Sequence, residues 1–437
     1  MLAYYIDLAW RSLKRTPLVS ALMVMAIAVG IGITMTSLSV YHMMSMDPIP
    51  SKSDKLFAVQ TVTSDADDSQ DRDRWNRNIT YKDAMALYQA DIPAKKVPMM
   101  RTGFSVHMRS GEVKPFLESA RVTGRDFFSM FELSFIYGGP WSMEQEVGAA
   151  PVVVISEALN NTLFGGANSV GKEILLDEYS FQVIGVLQDW DIHIKYYDLT
   201  NGAFNDVENL FIPFGLLPAL ELPTWGNTNG WKFEEVNTFQ ERLASELWWI
   251  QFWAELPDAQ AVLEYDNFIR DYMIEQGSLG RFESNDEPLY AIRDVSEWLG
   301  YNNVVSEDNQ VLVGLSFMFL VVCLANILGL LLGKFLKRAP EVGVRRALGA
   351  NKRQIFLQHL VEVSMLGLIG GIAGIGIAQL GLWGVRHTYD YYSALATMDL
   401  SMFLAAPVIS IVACIIAGMY PAWLVCKTAP AIYLKTQ

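Results

Sequence analysis

Four long apolar runs constrain what this chain can fold into. Leu18–Ser45 is 28 residues without a single Lys, Arg, Asp or Glu. Val311–Gly333 (23 residues) and Met402–Val425 (24 residues) share that property, and Ile355–Val385 (31 residues) is interrupted only by Glu362. A bilayer core of about 30 Å is crossed by roughly 20 helical residues. Only a helix satisfies its own backbone in lipid at these lengths. The sequence therefore predicts a membrane protein with four transmembrane α-helices. The first run follows Arg11, Lys14 and Arg15, but it is too long for a signal peptide and lacks a small-x-small cleavage site, so it reads as an uncleaved anchor.

Basic residues near span ends mark the cytoplasmic side. Arg11, Lys14 and Arg15 precede the first run, Lys334, Lys337, Arg338, Arg345, Arg346, Lys352 and Arg353 join the second to the third, and Lys427 and Lys435 follow the fourth. The short connection between the third and fourth carries Arg386 against Asp390 and Asp399. Both termini and the 334–353 loop are expected in the cytoplasm, and 46–308 outside. The expected plan is a leader and first span over 1–45, a large extracytoplasmic α+β domain inserted between helices 1 and 2 over 46–308, and three further spans over 309–437. Segment 46–308 holds 20 basic and 42 acidic residues, so the overall charge of −14 belongs to it. A pI near 4.9 argues against nucleic acid as a partner. Cys323, Cys414 and Cys426 are the only cysteines, which excludes a disulfide scaffold.

Within 46–308, strands are expected at Leu56–Val62, Phe104–Met108, Val113–Ala120, Val152–Ile155 and Leu247–Leu256, with a turn at Arg109-Ser110-Gly111. Helices are expected at Tyr81–Gln89 after Thr80, from Asp126 to Met130, after Ser156 to about Phe164, and over Ala259–Glu275. Ile174–Leu176 and Phe181–Val186 form an expected hairpin around Asp177-Glu178. A second subdomain is expected over roughly 150–230. Gly166–Glu173 imitates a phosphate-binding loop but ends in Glu where Ser or Thr should hold magnesium, with helix and strand in reversed order, so it reads as a turn. The Asp65, Asp67, Asp68, Asp71 and Asp73 run lacks the Gly and Glu of a calcium loop, and the five histidines have no metal spacing. No catalytic constellation and no metal site emerge. Trp249 and Trp253 share one strand face and Trp248 the other, read as core plus subdomain packing.

In the third run, Gly367 with Gly371 and Gly370 with Gly374 form two small-xxx-small pairs, expected to pack closely on span two or four or on another subunit. Glu362, seven residues into that run, is expected to pair with a loop arginine, with proton coupling as the alternative. Between spans two and three, Pro340 opens a short helix and Gly349 ends it. The segment at about 340–350 (Glu341, Val342, Gly343, Val344, Arg345, Arg346, Leu348, Gly349) reads as a docking helix across the membrane surface, its apolar residues belonging to no span.

Glu341–Ala350, Gln354-Ile355, Leu360-Val361-Glu362 and Gly370-Gly371 resemble the MacB/FtsX-like family of ABC transporter permeases. So do Ile79-Thr80-Tyr81, Asp126-Phe127-Phe128, Val154–Leu159, Gly171–Ile174 and Phe181–Val186 in the outside domain, the leader Arg11–Pro17, and Tyr420-Pro421-Ala422 with Ala429-Pro430-Ala431. The resemblance implies a dimer of four-span subunits, with an identical or sister permease, in the bacterial inner membrane. It implies that 340–350 touches cytoplasmic ABC ATPase subunits, which hold ATP and Mg, leaving no cofactor in this chain. With 17 residues ahead of the first run, the ATPase is expected to be a separate chain. The implied function is efflux from the periplasm with an adaptor protein and an outer-membrane channel. The alternatives are an FtsX-like transducer activating cell-wall hydrolases and a lipoprotein-release permease.

Overall fold

A computed structural model of the chain describes residues 2–64, 75–109, 111, 113–282, 288–388 and 397–427. The aspartate run from Asp65 to Asp73, Ser110 of the proposed turn, Asp390, Ala429-Pro430-Ala431 and Lys435 lie outside the described residues. The chain divides into two compact units, Met1–Met46 with Val305–Gln437, and Asp47–Val304.

The first unit is a helical bundle. Four helices are long and apolar enough to cross a membrane: Pro17–Ser45, Glu307–Lys337, Lys352–Thr388 and Leu400–Lys427, here spans one to four. Pro17 opens span one, where its missing N–H costs nothing. Ahead of it runs a helix that the sequence reading did not assign, Leu2–Arg15. Its Ala9, Ser12 and Leu13 are buried while Tyr4, Ile6 and Trp10 are exposed, the pattern of a helix lying on a surface rather than crossing it.

Span three is the centre of the bundle, and its glycines set the packing. A Cβ on Gly370 would lie 2.4 Å from Ile27 Cγ2, and one on Gly374 2.9 Å from Ile31 Cγ2, both on span one. A Cβ on Gly367 or Gly371 would lie 2.9 Å from the Cα of Ile411 or Pro407 on span four. The partners are therefore spans four and one. The two pairs are offset by three residues, hence about 60° apart around the helix, and each faces a different neighbour. Gly376 and Gly384, with nothing near a Cβ, face outward.

The second unit is α+β. Its strands are β1 (Leu56–Thr61), β2 (Ile79–Thr80), β3 (Lys95–His107), β4 (Phe116–Thr123), β5 (Phe135–Gly138), β6 (Val152–Ser156), β7 (Glu173–Leu176), β8 (Tyr179–Leu187), β9 (Leu210–Pro213), β10 (Trp248–Glu255) and β11 (Tyr290–Asp294). They pair in the order β11-β1-β10-β3-β4-β9-β6-β8-β5, with β2 on β10 and β7 on both β3 and β8. The pairings β3-β4-β9-β6-β8-β7 therefore close on themselves in a six-strand ring. Among the described residues only β4–β9 and β6–β8 are parallel. Strands β6–β9, inside the segment expected as a second subdomain, share one hydrogen-bonded sheet with β3 and β4. Phe104, Val106, Val153, Ile155, Ile174 and Phe181 belong to the core that this sheet builds.

Local signals place many elements. Thr80, Ser156 and Asp258 each cap the helix that follows by accepting a backbone N–H. Asp177, at φ +52°, turns the β7–β8 hairpin. The Gly166–Glu173 stretch is a turn between the Glu157–Phe164 helix and β7, and its amides are used internally, Gly171 N–H on Val183 O and Lys172 N–H on Ser169 O. Trp249 and Trp253 are both about 1% exposed, so that face of β10 is core and not a binding surface.

Candidate functional site

The end of the bundle that carries most of its Lys and Arg holds the densest polar structure of the first unit. After span two, Arg338 leads directly into a helix at Ala339–Ala347 with Pro340 in its first turn. The helix ends where Leu348 N–H bonds Val344 O and Gly349 takes φ +100°, a conformation open to glycine. Asn351 then starts span three, accepting from Arg353 N–H at 3.2 Å and donating its own N–H to Gln354 Oε1 at 3.1 Å.

The short helix is fastened to the bundle on one side only. Val342, 7% exposed, sits in the bundle core, and Gly343 is buried beside it. These two residues seat the short helix on the bundle, because a nine-residue helix needs an apolar seat. Arg346 donates to Cys426 O of span four at 3.3 Å, and Arg345 to Gln358 of span three at 3.1 Å. Glu341 lies 3.8 Å from Arg15 of the N-terminal helix. Exposed on this stretch are Val344 at 49%, Leu348 at 84%, Glu341, Arg345, Ala347 and the Gly349 turn.

Beneath it lies Glu362, with its side chain 1% exposed. Its nearest cation is Lys334 of span two, 2.7 Å away and equally buried, whereas Arg338 is 3.8 Å off. The expected loop arginine is thus the outer partner. Lys334 sits one helical turn earlier, on the face of span two turned toward span three. The Ser12 hydroxyl donates to Glu362 and accepts from Arg338, so one carboxylate ties the N-terminal helix, span two and span three together. Sequence reasoning missed the N-terminal helix as part of this site. The signal was present, since Tyr5, Leu8, Ala9, Ser12 and Leu13 recur at helical spacing.

The second unit holds its own charged cluster, at the strand β4 end of the ring. Arg121 is fully buried and bridges Asp198 and Glu208. Lys195 Nζ reaches Glu208 Oε1 at 2.6 Å, the Tyr197 hydroxyl donates to Oε2 at 2.8 Å, and Gln251 Nε2 donates to Asp198 Oδ1 at 2.9 Å. Burial by itself would raise Glu208, but the Arg121 and Lys195 charges hold it at about 2. Each charged member is paired with an opposite charge, although Arg121 Nε has no partner among the described residues, so the cluster is a brace for the loop 195–208 across the sheet.

A cleft of about 470 Å³ lies between the Tyr81–Gln89 helix and Phe214–Pro218, walled by Tyr81, Met85, Tyr88 and Val147. Glu146 at its base accepts from Tyr88, Trp141 Nε1 and Arg125 N–H. Burial pushes its carboxyl up to about 7. The folded state thus holds a proton that the unfolded chain releases near pH 4.5. This group's contribution to stability is intact below that pH and is lost as pH rises through about 7. At 1.36 kcal/mol per unit the swing is at most about 3 kcal/mol. Glu146→Gln should flatten the fall in melting temperature between those pH values. An unchanged slope in the variant would contradict the assignment.

Comparison with known proteins agrees with both units. Residues 20–264 match the family model of the MacB-like periplasmic core domain, and 313–430 that of the FtsX-like permease C-terminal domain. The pyoverdine export ATP-binding/permease protein PvdT of Pseudomonas syringae pv. tomato is 26% identical over 303 residues, 69% of this chain and 40% of that protein. The macrolide export ATP-binding/permease protein MacB of Haemophilus ducreyi is 22% identical over 363 residues, 82% of this chain and 46% of that protein. The chain thus spans less than half the length of these relatives. The crystal structure of the periplasmic region of MacB from Actinobacillus actinomycetemcomitans aligns with 57% of this chain and 93% of that one at 14% identity, with a TM-score of 0.35. Four helices long and apolar enough to cross a membrane, an α+β domain between the first and second, and family matches over 20–264 and 313–430 together show that the chain belongs to the MacB/FtsX-like permease family.

Proposed function

We propose that this chain transmits ATP-driven motion from an ABC ATPase in the cytoplasm to its 47–304 domain in the periplasm. In this reading the ATPase holds ATP and Mg²⁺, the basic end of the bundle is cytoplasmic, and the membrane is a bacterial inner membrane. A second permease, identical or sister, completes the pair. Relatives named for pyoverdine and macrolide export favour efflux from the periplasm, with an adaptor and an outer-membrane channel as further partners.

The observation that carries the proposal is the half-fastened helix Ala339–Ala347. Val342 and Gly343 seat it and Arg346 ties it to span four, while Val344 and Leu348 stand exposed at its tip. An apolar tip on a rigidly held polar helix suits insertion into a partner's cleft, in the helix-in-groove manner. Because the helix is braced to three spans, displacement at its tip moves the bundle as a body. ATPase closure then biases the bundle between two states only by as much as the docked contact differs between them.

The test is Val344→Asp with Leu348→Asp, made in the permease and co-expressed with its ATPase. Both side chains are exposed, so the permease should insert and fold as before. Co-purification with the ATPase should fall by about tenfold or more, and permease-stimulated ATP hydrolysis should drop to the level of the ATPase alone. A variant that retains both would remove the helix from the coupling path.

A further inference from the structure

A cavity of about 140 Å³ opens at the basic end of the bundle, between the N-terminal helix, the Ala339–Ala347 helix and the first turns of span three. Four arginines line it, Arg11, Arg15, Arg338 and Arg345, against one acid, Glu341. Each guanidinium has five N–H donors. Their contacts within the chain engage only part of them: Arg11 with Asp7 at 2.9 Å, Arg15 with Glu341 at 3.8 Å, Arg345 with Gln358 at 3.1 Å, and Arg338 with Ser12 and Glu362. Cationic donors from the N-terminal helix, the short helix and the Arg338 junction thus converge on one small space.

A second observation points the same way. His359, on the cavity wall, is only 3% exposed, and neither ring nitrogen has a hydrogen-bond partner among the described residues. Nδ1 is 3.9 Å from Glu362 Oε2, too far for a hydrogen bond, and the ring packs on Phe335 with centroids 4.2 Å apart. A buried imidazole without a partner is costly unless something in the cavity satisfies it. At roughly 30 Å³ per water, the space holds four or five waters, or one compact oxyanion. Arginine forks match a phosphate oxygen pair in geometry and charge.

We propose that this cavity binds a phosphate group, held by Arg11, Arg15, Arg338 and Arg345 with His359 as the inner donor. The group is either the headgroup of an anionic phospholipid or free inorganic phosphate, and both present the same oxyanion. Occupied, the site would cross-link the N-terminal helix, the short helix and span three. The inference does not depend on ATPase docking, and it is tested without the ATPase.

The purified chain is placed in nanodiscs of phosphatidylcholine. Its melting temperature is compared after replacing part of that lipid with phosphatidylglycerol, and separately after adding sodium phosphate against sodium chloride at matched ionic strength. A rise with phosphatidylglycerol alone identifies the headgroup, and a rise with inorganic phosphate identifies the free anion. In either case His359→Phe, which keeps a ring on Phe335, should weaken binding about tenfold, as should Arg15→Gln. Arg15 is exposed, so its variant remains informative if the His359 variant does not fold. No stabilisation by either probe, or stabilisation unchanged in Arg15→Gln and in a folded His359→Phe, overturns the proposal.

Discussion

Arg121→Met should destabilise the 47–304 unit by about 3–5 kcal/mol, the usual cost of removing one partner from a buried ion pair. The reason is what stays behind. Asp198 and Glu208 are fully buried, and Lys195, 2.6 Å from Glu208, then remains as the only cation among the described residues in contact with them. One of the two carboxylates must be protonated or drawn out to water, and the loop 195–208 loses its brace. For a unit of this size the melting temperature should fall by roughly 10 °C. Arg121→Lys should recover only part of the loss, since an ammonium cannot fork between two acids. Tryptophan fluorescence during thermal unfolding of the full chain reads the effect, because Trp253 Nε1 donates to Tyr197 O beside the cluster. The same network has a pH signature. Glu208 is held at about 2 against an ordinary value of 4.5, so its contribution is intact above pH 4.5 and is lost as pH falls toward 2. A melting temperature within a degree or two of wild type would show that the cluster is not a brace.

Glu362→Leu should be of similar size in the helical bundle, about 3–5 kcal/mol. Lys334 keeps its charge with 1% of its side chain exposed and its 2.7 Å partner gone. Ser12 loses its acceptor and Arg338 its counter-charge 3.8 Å away, and the N-terminal helix loses its polar tie to span three. The discriminating variant is the double change Lys334→Met with Glu362→Leu, which removes both charges at near-constant volume and should regain most of the loss. The readout is the temperature at which the detergent-solubilised chain loses its monodisperse gel-filtration peak. If single and double variants lose the peak at the same temperature, Glu362 and Lys334 are not coupled, and the carboxylate's burial needs another explanation such as proton transfer.

Features decided within a few residues were legible in advance. Spans were set by runs of uncharged side chains, since no other local structure satisfies a backbone in lipid. Thr80 and Ser156 announced helices because a cap hydrogen bond reaches only three residues ahead. Asp177-Glu178 announced a hairpin for the same kind of reason. The helix at 339–347 was visible from Pro340 and Gly349, yet which of its faces is free was not. Val342 and Val344 have the same chemistry, and only their positions around the helix, one against the bundle and one away from it, separate anchor from exposed tip.

What stayed hidden was set by contacts distant in sequence. β9 is four residues long, and it is a strand because β4 and β6 lie on either side of it. Neither the closing of β3-β4-β9-β6-β8-β7 into a ring nor the meeting of Arg121 with residues 77 and 87 positions away leaves a local periodicity. The glycine pairs promised close approach but could not name their neighbours, because any helix fits a groove until the bundle selects one. By itself the sequence determined where the chain crosses lipid, which segments pair locally and where charge accumulates, since hydration and backbone hydrogen bonding act residue by residue. Only the tertiary structure decided which buried charges neutralise each other and which side chains stay exposed, because those outcomes depend on packing between segments that the chain itself does not hold adjacent.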